Sequence, residues 1–352
     1  MTKAVTVHFA TNREETPSAE APAGFGAALN HRSPLWLRYG AAEMAPQRKG
    51  SGYRVAELRV APETIPGVTA DKAAPSALGS TAVFNGLRER LIANKADLVL
   101  LLHGYACDFA TALSNAAEIK TSWGTPSRPV ETAVFSWPAD GVIMPWIAYA
   151  SDRDDARSSA KAVARALLRF LGYLREIDRN AWCNANIHLV AHSMGNYVLR
   201  NAVQAMISDL GGRPLPRVFK TIFLMAADED NDAFEDPKKL ARLPELGESV
   251  QVYFASNDRA LTISDVTKGN PDRLGSTGPR TLTSLPQKVT LVDCAAVSDT
   301  SPLTDARHQY YRKRPEVLAD IRAVLAGTAP EDVPGRDWIA ARTCFRIRPA
   351  KR

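Results

Sequence analysis

Ser193 stands in Ala191-His192-Ser193-Met194-Gly195, directly after the apolar run Ile187-His188-Leu189-Val190 and just before the helix-like stretch Tyr197 to Met206. A serine on a sharp strand-to-helix turn is placed for nucleophilic attack. The turn strains the serine, so the residues two positions to either side must be small. Gly195 fills one small slot and Ala191 the other, where glycine is the usual choice. The same turn aims the Met194 N–H, at the start of the helix, toward the point of attack, where it is a candidate donor to an oxyanion.

A hydroxyl nucleophile needs a base, and the chain has six histidines: His8, His31, His103, His188, His192 and His308. His8 and His188 fall inside strand-like runs, and His31 lies in an early loop. His103 ends a strand, and the ring of His192, beside the nucleophile, should face away from it and serve packing. His308 alone lies late in the chain, on the polar loop Thr304-Asp305-Ala306-Arg307-His308, after the last strand-like run and before the last helix-like one. In an elbow enzyme of this kind the order is Ser, then acid, then His. The acid must hold the imidazole in the right tautomer. Asp258, directly after the run Val250 to Ala255, is preferred. Asp228, directly after Thr221 to Ala226, is the alternative, and its neighbours Glu229 and Asp230 fit a solvated turn. His103-Gly104-Tyr105-Ala106 follows another apolar run, and the glycine lets the backbone turn so that the Tyr105 N–H becomes the second oxyanion donor. Trp137, with Pro138, leaves a further strand at its carboxyl end and is the candidate wall of the substrate pocket. Trp146 and Tyr149 follow it on an expected flexible connection.

The elements that must position these groups read as alternating strands and helices. Val5 to Ala10 is a first strand, and a Pro/Ala/Gly-rich loop follows it through Pro34. Tyr53 to Ala61 alternates like a half-buried strand. Leu98 to Leu102 is a continuous apolar run, and Val130 to Ser136, Ile187 to Ala191, Thr221 to Ala226, Val250 to Ala255 and Lys288 to Val292 are further strand candidates, as in a mainly parallel sheet covered on both faces. Helical periodicity marks Phe84 to Asn94, Ser158 to Tyr173 and Pro315 to Ala326, the last with proline in its first turn.

Composition narrows the classes. Of 352 residues 45% are apolar and 23% charged, as in ordinary globular proteins. The 44 Lys and Arg against 38 Asp and Glu leave a formal charge of +6, too mild and too dispersed for a nucleic-acid binder. No apolar stretch approaches the ~20 residues of a membrane helix, and residues 1–10 do not read as a secretory signal. The four cysteines form no CxxC pair, so a reduced, cytoplasmic thiol set is expected rather than a zinc site or a disulfide framework.

Several segments together resemble the α/β-hydrolases, and within them a bacterial branch of hydrolase-like proteins of unknown function. They are Ala10-Thr11-Asn12-Arg13, Tyr39-Gly40, Leu101-Leu102-His103-Gly104-Tyr105, Phe135-Ser136-Trp137-Pro138-Ala139-Asp140-Gly141, Leu189-Val190-Ala191-His192-Ser193-Met194-Gly195-Asn196, Ala226-Ala227-Asp228 and Asn257-Asp258-Arg259-Ala260-Leu261. The resemblance runs from about Val5 to about Ala326. The late histidine matches by position, with Arg307 where many relatives have glycine. The resemblance implies an α/β-hydrolase fold, a mostly parallel central sheet with helices on both faces, and serine-hydrolase machinery.

The expected organisation is a single domain over residues 1–326, with 228–248 as a lid or insertion. A basic tail over 327–352 carries six basic residues against three acidic ones. That tail reads as solvated, packing Trp338 and Phe345 on the body, with contact to an acidic partner or a membrane surface as the other reading. The expected activity is hydrolysis of small carboxylic esters through Ser193, His308 and Asp258, with no metal or organic cofactor. Ser rather than Asp at the elbow argues against dehalogenase and epoxide-hydrolase chemistry. Thioesterase, amidase and acyltransferase activity, or a non-catalytic binding or scaffold role, are the alternatives. The substrate's acyl length and the oligomeric state are not encoded in any motif.

Overall fold

The structure is a computed structural model. It describes residues 4–18, 22–34, 36–48, 52–62, 78–140, 147–177, 183–261, 272–283, 285–299 and 306–350. Trp146 and the loop residues Thr304 and Asp305 lie outside these segments.

Thirteen strands are described: β1 (Val5–Thr11), β2 (Arg13–Thr16), β3 (Gly24–Leu29), β4 (Arg38–Pro46), β5 (Tyr53–Val60), β6 (Asp97–Leu102), β7 (Val130–Ser136), β8 (Ile187–His192), β9 (Phe219–Met225), β10 (Gly247–Phe254), β11 (Val289–Asp293), β12 (Arg336–Ile339) and β13 (Cys344–Ile347). The longer helices are α1 (Gly79–Asn94), α2 (Phe109–Trp123), α3 (Ile147–Glu176), α4 (Gly195–Asp209) and α5 (Pro315–Leu325). Eleven strands form one sheet in the order β12-β13-β11-β10-β9-β8-β6-β7-β1-β4-β5, and β2 and β3 form a separate hairpin. From β13 to β1 every pairing is parallel, and the antiparallel pairs are confined to the two ends.

The patterning explains the layers. β6 (DLVLLL) is apolar along its length because α2 and α5 cover one face of the sheet and α1, α3 and α4 the other. β5, at an edge, alternates instead and leaves Arg54 and Glu57 in solvent. α2 starts where Asp108 Oδ1 accepts the Thr111 N–H at 2.7 Å, an N-cap bond. α5 opens on Pro315 and buries Val317, Ile321, Val324 and Leu325 on one stripe. Strands β6, β7, β8, β9 and β10 all point their carboxyl ends the same way, so the loops bearing His103, Trp137, Ser193, Asp228 and Asp258 meet at one end of the sheet.

Four expectations change. The basic tail is not a solvated appendage. β13 pairs parallel with β11 and β12 pairs with β13, so the sheet continues beyond residue 326. Arg336 in this segment is buried and donates to both carboxylate oxygens of Asp320 on α5, at 2.6 and 2.8 Å, which ties the hairpin to the body. Trp338 does pack on Phe345, with ring centroids 5.0 Å apart, while staying half exposed. Residues 228–248 are likewise no loose lid, because Leu240, Leu243 and Leu246 sit in the core. In the acidic run, Asp228 and Glu229 are buried and Asp230 is half-buried, and the three pair with Arg200, Lys239 and Arg273 rather than standing in solvent. Finally, Tyr149 lies on the first turn of α3, which begins well before the expected Ser158.

Candidate active site

Ser193 has φ +53°, a left-handed conformation that a non-glycine residue holds only when its surroundings impose it. Those surroundings are identifiable. The Ser193 N–H donates to Met225 O at 2.9 Å on the neighbouring strand. Its carbonyl accepts from Asn196 N at 3.0 Å, Asp228 N at 3.2 Å and Asn196 Nδ2 at 3.0 Å. The Asn196 amide also donates to Ala191 O at 3.0 Å, bridging the two sides of the turn. A Cβ on Gly195 would lie 2.4 Å from Leu102 O and 2.6 Å from His103 O, so only glycine lets the elbow sit against the end of β6. Ala191 carries its methyl in a fully buried slot without disturbing the turn.

His308 faces Asp258. Its Nδ1 donates to Asp258 Oδ2 at 2.7 Å, which leaves Nε2 to exchange a proton. The other oxygen of Asp258 accepts the N–H groups of Ala260 and Leu261, at 3.0 and 3.3 Å, so the carboxylate is oriented before it meets the imidazole. The acid loop is joined to the histidine loop through Arg259 N to Ala306 O, at 2.9 Å. Burial works to lower the His308 pKa, but the charge and hydrogen bond of Asp258, with the Asp228 charge, outweigh it and hold it above the usual histidine value.

Asp228, the alternative acid, does not bond His308. Its carboxylate takes the Tyr149 hydroxyl at 2.5 Å and the Arg273 guanidinium at 3.4 Å. Among the described residues Ser193 Oγ makes no hydrogen bond. The acid–base pair is formed, and no hydrogen bond joins serine and base among the described residues.

His192 has a more definite part than packing. Its Nε2 lies 3.2 Å from His308 O, and a carbonyl only accepts, so Nε2 carries the proton. The ring stacks on Tyr311 at 4.5 Å. Burial, and then the charge of His308, keep its pKa well below the usual value, so it stays neutral.

On the other side lies the loop after β6. A Cβ on Gly104 would stand 2.9 Å from Ser193 Cβ, which shows how closely this loop meets the elbow. The Met194 N–H has no acceptor among the described residues, and Tyr105 follows Gly104 on the facing loop. Trp137 departs from its expected place as a pocket wall. It is fully buried, stacks on His103 with rings 5.0 Å apart and 7° from parallel, and donates Nε1–H to His103 O at 3.0 Å. It supports the loop from behind, out of reach of a substrate. Burial, and then the charge of Arg13, lower the His103 pKa to about 3, so that ring is neutral. Its Nδ1 donates to Gly104 O at 3.0 Å.

A largely parallel sheet with a left-handed serine at a strand-to-helix elbow defines an α/β-hydrolase architecture. The chain belongs to the family described as "Alpha/beta hydrolase of unknown function (DUF900)", which matches residues 80–326. No curated protein matches it. Among the described residues no helix is long and apolar enough to cross a membrane.

Residues that sequence reasoning passed over include Asn196, Asp152 and Arg13. Arg13 is visible in the Ala-Thr-Asn-Arg segment, but nothing local to it shows what it holds.

Proposed function

We propose that the protein is a serine hydrolase of small carboxylic esters. The observation that carries this reading is the Asp258–His308 pair, at 2.7 Å, at the same sheet end as a serine held at φ +53°. Ser193 attacks the ester carbonyl while His308 Nε2 takes its proton. The proton passes to the departing alkoxide, leaving an acyl-enzyme that water hydrolyses by the same route in reverse. Asp258 keeps the proton on Nδ1 of the neutral ring and stabilises the imidazolium. The N–H groups of Met194 and Tyr105 take the charge on the tetrahedral oxygen, commonly the largest single contribution to such catalysis. A binding or scaffold protein has no use for an oriented acid–base pair beside a strained serine.

Ester rather than nucleic-acid or membrane substrates fit the mild, dispersed charge. A cytoplasmic setting fits four cysteines that are all free, three of them buried.

The test is labelling with a fluorophosphonate, together with turnover of an ester panel of graded acyl length. Labelling of the native chain at Ser193, and loss of about 10⁶-fold in kcat in Ser193→Ala, are expected. A folded native chain that neither labels nor turns over any ester assigns the fold a binding role. Faster turnover of thioesters or amides, or acyl transfer to an added alcohol, moves the assignment within the acyl-transfer enzymes.

A further inference from the structure

Arg13 is fully buried at the start of β2, and among the described residues it forms no ion pair. Its guanidinium is spent on oxygens from three places. Nε donates to Ser136 Oγ at 2.9 Å, Nη1 to Gly26 O at 2.9 Å and Ala139 O at 3.0 Å, and Nη2 to Cys107 O at 2.8 Å. Asp152, fully buried on α3, does the converse. One oxygen accepts the Ala106 N–H at 3.1 Å and the other the Asp140 N–H at 3.2 Å. The loop after β6 is therefore gripped at adjacent residues, 106 by the anion and 107 by the cation. The loop after β7 is gripped the same way, at 140 and 139.

Burying either charge costs several kcal/mol, and neither is offset by a direct ion pair to the other. What the two charges hold in common is the segment that follows Gly104. Ala106 within it sits at φ +50°, a strained conformation for a residue with a Cβ, and it persists only when its neighbours over-determine it. Tyr105 is the residue before it.

We propose that Arg13 and Asp152 form a two-sided positioning clamp that fixes the Tyr105 N–H as an oxyanion donor, an inference that rests on the serine-hydrolase reading. Hydrogen bonds to charged groups are shorter and about twice as strong as neutral ones. A backbone amide has no side chain through which to be adjusted, so it must be set by what grips the peptides beyond it. The clamp reaches that amide through Ala106 and Cys107, and Trp137 sets the other flank through His103 O. Burial pushes Asp152 up to about 6, with Asp140 and Asp155 acting in the same direction against the two amides it accepts from, so at neutral pH it is mostly the anion the clamp requires. Burial lowers Arg13 to about 10, with Cys107, Asp108, Asp152 and Asp155 opposing, and it stays charged. Neither residue touches the reacting atoms. Both are positioning residues.

The test is Asp152→Asn in the full chain. It keeps the shape but replaces one acceptor with a donor facing an N–H. Arg13→Lys keeps a buried charge without the fork that spans three carbonyls, and serves if the first variant folds poorly. In the folded variant, kcat on the best ester is expected to fall about 10- to 100-fold, the scale of a misplacement near 1 Å. KM should change less than about threefold, because the oxyanion contact forms in the transition state. Hydrogen exchange should quicken together in peptides covering residues 103–108 and 137–140, and not in the elbow, residues 188–199. Unchanged exchange in those two peptides overturns the clamp whether or not the protein turns over esters. Quickened exchange with unchanged kcat overturns its part in positioning. A native chain that does not label at Ser193 removes the hydrolase reading instead, and the exchange result still separates the two failures.

Discussion

The two walls of the site are built in different ways. On the acid–base wall, Asp258 is oriented by N–H groups two and three residues further along its own loop, and His308 is met by a neighbouring loop through one backbone bond. On the facing wall, the proposed oxyanion wall, almost nothing is local. The loop after β6 is held by Arg13 from 94 residues upstream and Asp152 from 46 residues downstream, and its start is held by Trp137. A carboxylate or an imidazole carries its own chemistry and needs only to be aimed. An oxyanion hole is a position of backbone amides, and its place is set by whatever holds the loop. The acid–base wall should therefore fail one residue at a time, and the oxyanion wall should fail as a unit.

The largest effect that can break this comparison is on the acid. Asp258→Asn keeps the loop bonds through its remaining oxygen but favours the wrong imidazole tautomer. kcat/KM is expected to fall about 10⁴-fold, by analogy with the protease case. Asp228→Asn, assayed beside it, should cost about tenfold at most by the same reasoning about a carboxylate that does not hold the ring. The reverse ranking places the acid one strand earlier and removes the argument for a locally held pair. On the opposite wall, Gly104→Ala pushes a Cβ to 2.9 Å from Ser193 Cβ and 3.2 Å from His192 Nδ1. The loop must retreat from the elbow, with kcat expected to fall about 100-fold and stability by about 1–3 kcal/mol from overpacking. Activity within a fewfold of native would show that the two loops are not in register for a shared oxyanion.

The same contrast explains what the sequence disclosed. Ser193, His308 and Asp258, the residues of the proposed triad, could be singled out because each announces itself by residue type, by the strand it follows and by chain order. β6 was legible for a similar reason: a strand covered on both faces is an apolar run, here Leu98 to Leu102. β4, with its Ala and Gly, carries no such signal, and Gly40 is there because Phe9 and the Arg59 carbonyl leave no room for a Cβ. Trp137 was misplaced because an aromatic ring at a strand end looks the same whether it faces a substrate or backs a loop. Arg13 and Asp152 are informative only through partners far away in sequence. The tail was misjudged because β12 and β13 are four residues each, too short for a period, and depend on a buried Arg336–Asp320 pair for their place.

A pH series sharpens the acid–base side with a smaller effect. His308 must be neutral to accept the serine proton, so kcat/KM should fall about tenfold per unit of pH below its pKa. That pKa is held above ~6.5. Asp228→Asn should move the limb to lower pH, because its charge is one of those raising His308. Stability runs the other way. A histidine raised on folding contributes stability that is fully present below ~6.5 and is lost as pH rises through the folded value. Activity is thus gained over the window in which this contribution to stability is lost. His8, His103, His188 and His192, all lowered, act on the acid side of that window. Paired kcat/KM and Tm measurements across pH check this. A wild-type limb centred below ~6.5 refutes the raised His308.

The smallest effect concerns Arg307. Ala306 and Arg307 lie at φ +48° and +58°, so the chain turns left-handed twice just before the base. At the second of these positions a residue without Cβ would enter the left-handed region freely. Arg307 holds it at a strain of about 1–2 kcal/mol. Among the described residues its ion pair is to Asp299 at 3.6 Å, with the carboxylate largely in solvent, and such a pair returns little. Arg307→Gly should relieve the strain, while the greater freedom of glycine in the unfolded chain takes back about 0.5–1 kcal/mol. The net expectation is a gain of about 0.5–1 kcal/mol, with kcat/KM within about twofold because His308 is fixed by Asp258 and His192 rather than by Arg307. Arg307→Ala is the control. It loses the same ion pair and keeps the Cβ, so it should gain nothing. If Arg307→Gly instead loses activity while Arg307→Ala retains it, the strained turn itself places the base, and the acid–base wall depends on its loop as fully as the oxyanion wall does.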